Sequence, residues 1–234
     1  MELVLCSILS YFLAVLVDAK RGEIRIDHYE NYWQYQDIQK ALENKDRKSW
    51  MFYRSYSENT PGSPHSCVYA NVKKKKTKKN FYRFEQGYTF SKKNQNQTQT
   101  QKLLAIPFKR ESLYTHKRRE KDNAMNVTKA KGGRSGRLYR LVYSDYSKCD
   151  ILRVLDRNSG YACELYLHDN AVDNGVPERC KRMYGNACGK DEEHYTQQVY
   201  YPWCKKKIEG PIETTSAGTT QEEVTTTTTL PPGC

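Results

Sequence analysis

Hydrophobic and polar positions divide the 234-residue chain into three stretches of different character. An apolar run from Leu3 to Val17 is followed by the small residue Ala19 and then by charge, the pattern of a secretory signal peptide, so residues 1–19 are expected to be cut away on export. The run is too short for a good membrane span, and no later segment is hydrophobic enough to be one. At the other end IETTSAGTTQEEVTTTTTLPPGC has no apolar periodicity and is dominated by Thr, so residues 211–234 read as a disordered, O-glycosylated Thr/Pro-rich tail. The stretch between them, residues 20–210, has the length of one globular domain.

Inside that domain the first pattern is helical, with Tyr35, Ile38 and Leu42 on one face of WQYQDIQKAL. Short aromatic and β-branched runs follow at 50–56, 67–72, 81–84, 103–108, 138–143, 149–155 and 162–168, separated by polar or turn-forming residues. A second helix is predicted after Asn174, with Pro177 in its first turn and its end at Gly185. Many short strands with one helix before and one after fit a closed antiparallel barrel, and strand count alone leaves a sandwich open. Two N-glycosylation sequons, at Asn96 and Asn126, place their segments at the surface; SKKNQNQTQTQ around the first reads as an exposed loop.

Charge adds a basic exterior. The formal net charge is +12, and loss of Glu2 and Asp18 with the signal would raise it to +14. Such a surface attracts anionic glycans weakly, and export makes nucleic acid an unsuitable physiological partner. The run from Lys73 to Lys79 reads as a charged loop or edge gatekeeper, or as a patch for glycosaminoglycan or anionic membrane. No G-x-S-x-G, H-E-x-x-H or Gly-rich phosphate loop is present, so neither an enzyme nor a cofactor is predicted. The histidines, His28, His65, His116, His168 and His194, are scattered and read as ordinary surface or pocket residues.

Of the eight cysteines, Cys6 lies in the signal, leaving seven. In an oxidising compartment that number divides into three bridges and one remainder, for which Cys234 in the tail is the obvious candidate. No C-x-x-C pair is present, so no metal site is predicted. Alternation along strands then sorts the region from Cys149 to Cys188. Cys149, Ile151 and Arg153 share one face, and Asp150, Leu152 and Val154 the other. Cys163, Leu165 and Leu167 oppose Glu164, Tyr166 and His168 in the same way. If both strand cysteines bridge towards the second helix, their faces are outer, and Asp150, Glu164 and Tyr166 point inward. Two carboxylates inside a barrel call for a countercharge, because desolvating an ion costs at least several kcal/mol. A cationic ligand would supply one, and aromatic faces would add cation-π attraction.

Cys149-Asp150-Ile151, twelve residues, Glu164-Leu165-Tyr166, thirteen residues and Cys180 together resemble the amine-binding signature of the tick salivary lipocalins, among them the histamine-binding and other biogenic-amine-binding proteins. Gln36-Asp37, Ala41-Leu42, Cys67-Val68, Tyr143-Ser144-Asp145 and Val176-Pro177 extend the likeness across most of residues 35–204. The resemblance implies an all-β fold, an eight-stranded antiparallel lipocalin barrel with an N-terminal and a C-terminal helix outside it. It implies bridges Cys67 to Cys204 and Cys149 to Cys180, leaving Cys163 with Cys188. It also implies a ligand cavity lined by Asp150, Glu164 and Tyr166, with Trp50, Phe52 and Tyr56 in its wall. Gln39 stands near the place of the family's first-helix Trp, and Gln101 near a middle-strand acid of the histamine binders. Arg54 would share the inward face with Phe52 and Tyr56, where a positive charge suits an anionic ligand. The expected function is sequestration of a biogenic amine, histamine or serotonin. The alternatives are a lipid mediator, such as a fatty acid or leukotriene, or a glycan- or protein-binding module acting through the basic surface.

Overall fold

The computed structural model describes residues 25–209 apart from 61, 74–80, 94, 113 and 132–134. Residues 1–19, the tail with Cys234, Lys74 to Lys79 and the first part of GGRSGR therefore lie outside the described residues.

Eight strands run β1 (Lys48–Arg54), β2 (Ser66–Val72), β3 (Tyr82–Lys92), β4 (Gln95–Phe108), β5 (Ala124–Lys129), β6 (Arg137–Ser144), β7 (Cys149–Val154) and β8 (Ala162–His168). Each pairs antiparallel with the next, and β8 returns to β1, from Ser49 opposite His168 to Arg54 opposite Glu164. The sheet is thus a closed barrel, which removes the exposed edges an open sandwich would keep. A two-residue strand, β9 (Gln197–Gln198), pairs on the outside of β1.

Two parts of the barrel differ from the sequence expectation. The polar run around Asn96 is strand rather than loop: Gln95 to Thr100 pair residue by residue with β3, from Lys92 opposite Gln95 to Gly87 opposite Thr100. Gln95 to Thr100, Asn96 included, are exposed on both faces of the strand, so no apolar alternation marks them. Strand β5 also went unread; its Met125 and Val127 point inward, while Asn126 is half-buried.

The first helix is shorter than its pattern predicted. Residues Glu30–Tyr35 wind as a 3-10 turn, and α1 spans only Ile38–Leu42, capped by Asp37, whose carboxylate accepts from the Lys40 amide at 3.1 Å. The break falls at Gln36, whose side chain is wholly buried. Its amide donates to the carbonyls of Ile26 and Val142, both at 3.0 Å, and its oxygen accepts from Arg119 at 2.7 Å. These bonds tie the N-terminal segment to the barrel wall at the cost of helical continuity.

The second helix, α2, spans Glu178–Cys188 with Pro177 at its N-cap, so it continues three residues past the predicted end. Short helices α3 (Glu192–Tyr195) and α4 (Trp203–Glu209) follow. Helix α2 buries Cys180, Met183, Tyr184 and Cys188 against the outer faces of β7 and β8, where Ile151, Leu165 and Leu167 are fully enclosed. Each such aliphatic side chain stabilises the fold by roughly 1.5 to 3 kcal/mol. Disulfides join Cys149 to Cys180 and Cys163 to Cys188 across this interface, and Cys67 to Cys204 ties β2 to α4. Three bridges belong to an extracellular chain, and no helix among the described residues is long and apolar enough to cross a membrane.

Arg153 shares the outer face of β7, as alternation required. It donates to the Ala187 carbonyl at 2.9 Å and to Asp27 at 3.2 Å, and Arg25 and Arg140 reach the same carboxylate at 2.9 and 3.6 Å. The N-terminal turn is thereby pinned to the wall by a buried acid held among guanidinium groups.

Candidate ligand-binding site

The inward residues of the strands enclose a cavity of about 390 Å³, within the range of roughly 300 to 1,000 Å³ usual for small-molecule sites. Much of its wall is apolar, with Met51, Val68, Leu103, Met125, Leu141 and Leu152 among the lining residues. Asp150, Glu164, Tyr166 and His168 face in from β7 and β8, and Arg47, Arg54, Gln101 and Arg137 are among the polar residues on other parts of the wall.

Glu164 is the most enclosed of these, with 1% of its surface exposed. Both oxygens accept from phenols, one from Tyr56 and the other from Tyr166 at 3.1 Å. Burial pushes its carboxyl above the ordinary carboxylate range, opposed by the Tyr56 hydrogen bond and by the through-space charges of Arg137 and Arg54. Burial likewise pushes the phenols of Tyr56, Tyr166 and Tyr139 upward, so all three stay protonated, and Tyr56 and Tyr166 serve as the donors to Glu164. Glu164 forms no ion pair among the described residues.

Asp150 lies directly across from Tyr166 in the β7–β8 pairing, and Glu164 across from Leu152, which makes the two carboxylates diagonal neighbours on the inner face. One Asp150 oxygen contacts Nε2 of His168 at 3.1 Å, and the other, Oδ1, is enclosed without a hydrogen-bond partner. His168 is buried; burial alone would lower its pKa, but the hydrogen bond and charge of Asp150, with Asp46, carry it above the ordinary value. Alternation had put His168 on the face of Glu164 and Tyr166, yet a lone histidine carries no signal of its pairing with Asp150.

The first strand corrects two expectations. Tyr56 lines the cavity, but Trp50 and Phe52 belong to the cluster outside the barrel, with Tyr69, Tyr200 and Tyr53. Trp50 stacks its edge against Tyr200 and donates Nε1 to Asp169 at 2.5 Å. The cause is a bulge: the pairing of β1 with β8 shifts between Met51 and Tyr53, so both Phe52 and Tyr53 face out and the alternation reverses. Met51 and Arg54, not Trp50 and Phe52, therefore reach the interior.

Arg54 is 2% exposed and committed to the wall. Its Nε donates to Gln197 at 2.9 Å, and its Nη2 to the carbonyls of Glu58 and His65 at 3.2 and 3.1 Å. Gln101 lines the cavity, its amide donating to Gln86 at 2.8 Å, and Gln39 donates to Asp122 at 2.6 Å.

A closed eight-stranded barrel, helix-backed and enclosing a cavity lined by apolar and polar groups, is the architecture of a lipocalin-type binding protein. The chain belongs to the tick histamine-binding protein family, whose model matches residues 26–206. The family is one of ligand-binding proteins rather than enzymes. Solved structures similar to it include AM182 in complex with serotonin, at TM-score 0.45 and 15% identity, covering 72% of this chain and 92% of that one. The cockroach allergen Per a 4 is similar at TM-score 0.46 and 11% identity, covering 73% and 91%. Lobster apocrustacyanin A1 is similar at TM-score 0.45 and 13% identity, covering 80% and 95%. No curated protein sequence is similar enough to count as a match.

Proposed function

We propose that this protein is secreted and sequesters a small biogenic amine, histamine or serotonin, in its barrel through Glu164 and Asp150. The observation that carries the reading is Glu164, a carboxylate enclosed in a cavity with phenolic donors but no ion pair among the described residues. An arriving ammonium offsets the desolvation that opposes its ionisation, and the rings of Tyr56 and Tyr166 add cation-π attraction of roughly 0.5 to 2 kcal/mol each. Membership of a family described as histamine-binding supports the same ligand class. Arg54, the candidate cation from the sequence for an acidic lipid, is engaged by Gln197 and by the carbonyls of Glu58 and His65, and although Arg47, Lys129 and Arg137 also line the cavity, the uncompensated Glu164 carboxylate favours the amine. Export follows from the signal-like residues 1–19, and Asn96, exposed on β4, is the better placed glycan acceptor.

Calorimetric titration of wild type and Glu164→Gln against histamine, serotonin and a leukotriene tests the reading. Wild type should bind an amine, and the variant should lose about ten- to a hundredfold in affinity, the value of a charge-assisted hydrogen bond. Unchanged amine binding by the variant, or binding of the leukotriene alone, would overturn it.

A further inference from the structure

Strand β4 outruns one of its two neighbours. Its pairing with β3 continues without a register shift from Ala105 back to Gln95, whereas its pairing with β5 begins only at Leu103, opposite Lys129. Among the described residues no strand lies along the other edge of Gln95 to Gln101. The Ala130 amide donates to the Lys102 carbonyl at 2.9 Å, so Lys102 turns its backbone groups away from β3, and by alternation Thr100, Thr98 and Asn96 do the same. The hydroxyls of Thr98 and Thr89, paired across the strands, lie 3.2 Å apart, as expected where a facing pair exchanges no backbone bonds and its side chains come closest. Asn96, Thr98 and Thr100 therefore present N–H and C=O groups along an exposed edge, a template for another strand.

Such edges are ordinarily guarded by a charged side chain, a proline or a bulge. QNQTQTQ has no charge and no proline, although 28% of the chain is charged, and its pairing with β3 has no bulge. The net charge of +12 makes two copies repel where basic surface meets basic surface, and this uncharged strand is where they can meet without that penalty. An antiparallel match of two such edges centred on Thr98 sets Thr98 opposite Thr98 and Asn96 opposite Thr100, each pair exchanging both backbone bonds. The obstacle is Asn96 itself, which heads the Asn96-Gln97-Thr98 sequon and lies within the contact.

We propose that the free edge of β4 is a self-association surface, pairing antiparallel with the same edge of a second copy, and that a glycan on Asn96 is the guard that keeps the exported protein monomeric. The guard rests on the export proposed above, whereas pairing of the bare edges requires neither export nor a ligand. Three variants lose the sequon and differ at the centre of the edge. Thr98→Val keeps the backbone donor and a β-branched side chain. Thr98→Pro removes the donor without touching the ladder to β3, and Thr98→Lys sets like charges opposite each other. All are secreted from eukaryotic cells and compared by sedimentation equilibrium up to on the order of 100 μM, a range suited to a contact well below the roughly 1,200 Å² of a standard interface. The mass of Thr98→Val should rise towards twice the monomer value, with slowed hydrogen exchange at the Asn96 and Thr100 amides, while Thr98→Pro and Thr98→Lys stay monomeric. Wild type should carry a glycan on Asn96 by peptide mass spectrometry and stay monomeric. A Thr98→Val protein that remains monomeric, or equal association of all three variants, would overturn the pairing. Slowed exchange in a monomer would put another segment of the chain on the edge and overturn it as well. Wild type without a glycan on Asn96, or associating with one in place, would overturn the guard. The comparison of Thr98→Val with Thr98→Lys decides the matter even if the proline variant does not fold.

Discussion

Asp27 on the outer wall and Glu164 on the inner wall are both buried carboxylates, at 0% and 1% exposure, and the protein treats them in opposite ways. Asp27 receives Arg25, Arg140 and Arg153 within 4 Å. Burial works against its ionisation, but the charges of Arg153, Arg25 and the other cations around it bring its pKa down to about 2. Glu164 receives phenols, and burial carries its pKa upward. One acid has been completed by the fold and contributes stability. The other has been left charge-deficient, which is what a binding site for a cation requires. Burial of an acid therefore does not mark function by itself; the supply of countercharge separates the two cases.

The strongest way to break this comparison is to neutralise each acid in turn. Asp27→Asn should cost about 3 to 5 kcal/mol in urea unfolding, because Arg140 and Arg153 stay buried without an anion. Glu164→Gln should leave stability within about 1 kcal/mol of wild type, since a neutral amide suits that site. A large loss from Glu164→Gln would show that its charge is structural after all.

Acid sharpens the same contrast with a smaller effect. Asp27 has a folded pKa below its ordinary 3.8, so its contribution, about 2 kcal/mol, is present above that value and lost as pH falls from 3.8 towards 2. Glu164 has a folded pKa above its ordinary 4.5, so it takes up a proton first as pH falls. The charged and titratable groups facing it are Tyr56, Tyr166, Tyr139, Arg137 and Arg54, and none of these changes protonation in that range. Amine affinity should accordingly decline on acidification while circular dichroism still reports a folded barrel, and unfolding should follow at lower pH. Simultaneous loss of both would contradict the separation.

The smallest expected effect concerns the outer wall of β1. Trp50→Phe removes the donor to Asp169 and should cost about 1 kcal/mol of stability. Amine affinity should stay within about twofold, because Trp50 packs outside the barrel. A tenfold loss of affinity would return Trp50 to the cavity wall.

Much of β7, β8 and α2 was legible from residue order. Cysteines on successive strands, alternation of period two and a proline at a helix start are all read along the residue order, and they put Asp150, Glu164, Tyr166 and His168 on one face without tertiary information. The same rule misplaced Trp50 and Phe52, because alternation holds only while the pairing stays in register. A bulge is created by the partner strand, and nothing in KSWMFYR announces it. The polar half of β4 was invisible for a related reason, being held by hydrogen bonds to β3 rather than by an apolar stripe of its own.

Chain-local chemistry thus accounts for the strand-rich domain between the two helices, the oxidised cysteine set and the pair of inward acids. What each acid does is a matter of groups far away in sequence. Arg140 and Arg153 reach Asp27 from 113 and 126 residues on, Tyr56 reaches Glu164 from 108 residues back, and His168 meets Asp150 only because the β7–β8 turn folds one strand against the other. Electrostatic pairing acts through space over a few ångströms, whereas alternation acts along the backbone. For that reason the inner and outer faces of a strand can be read from residue order, and the assignment of countercharges becomes fixed once the barrel has closed.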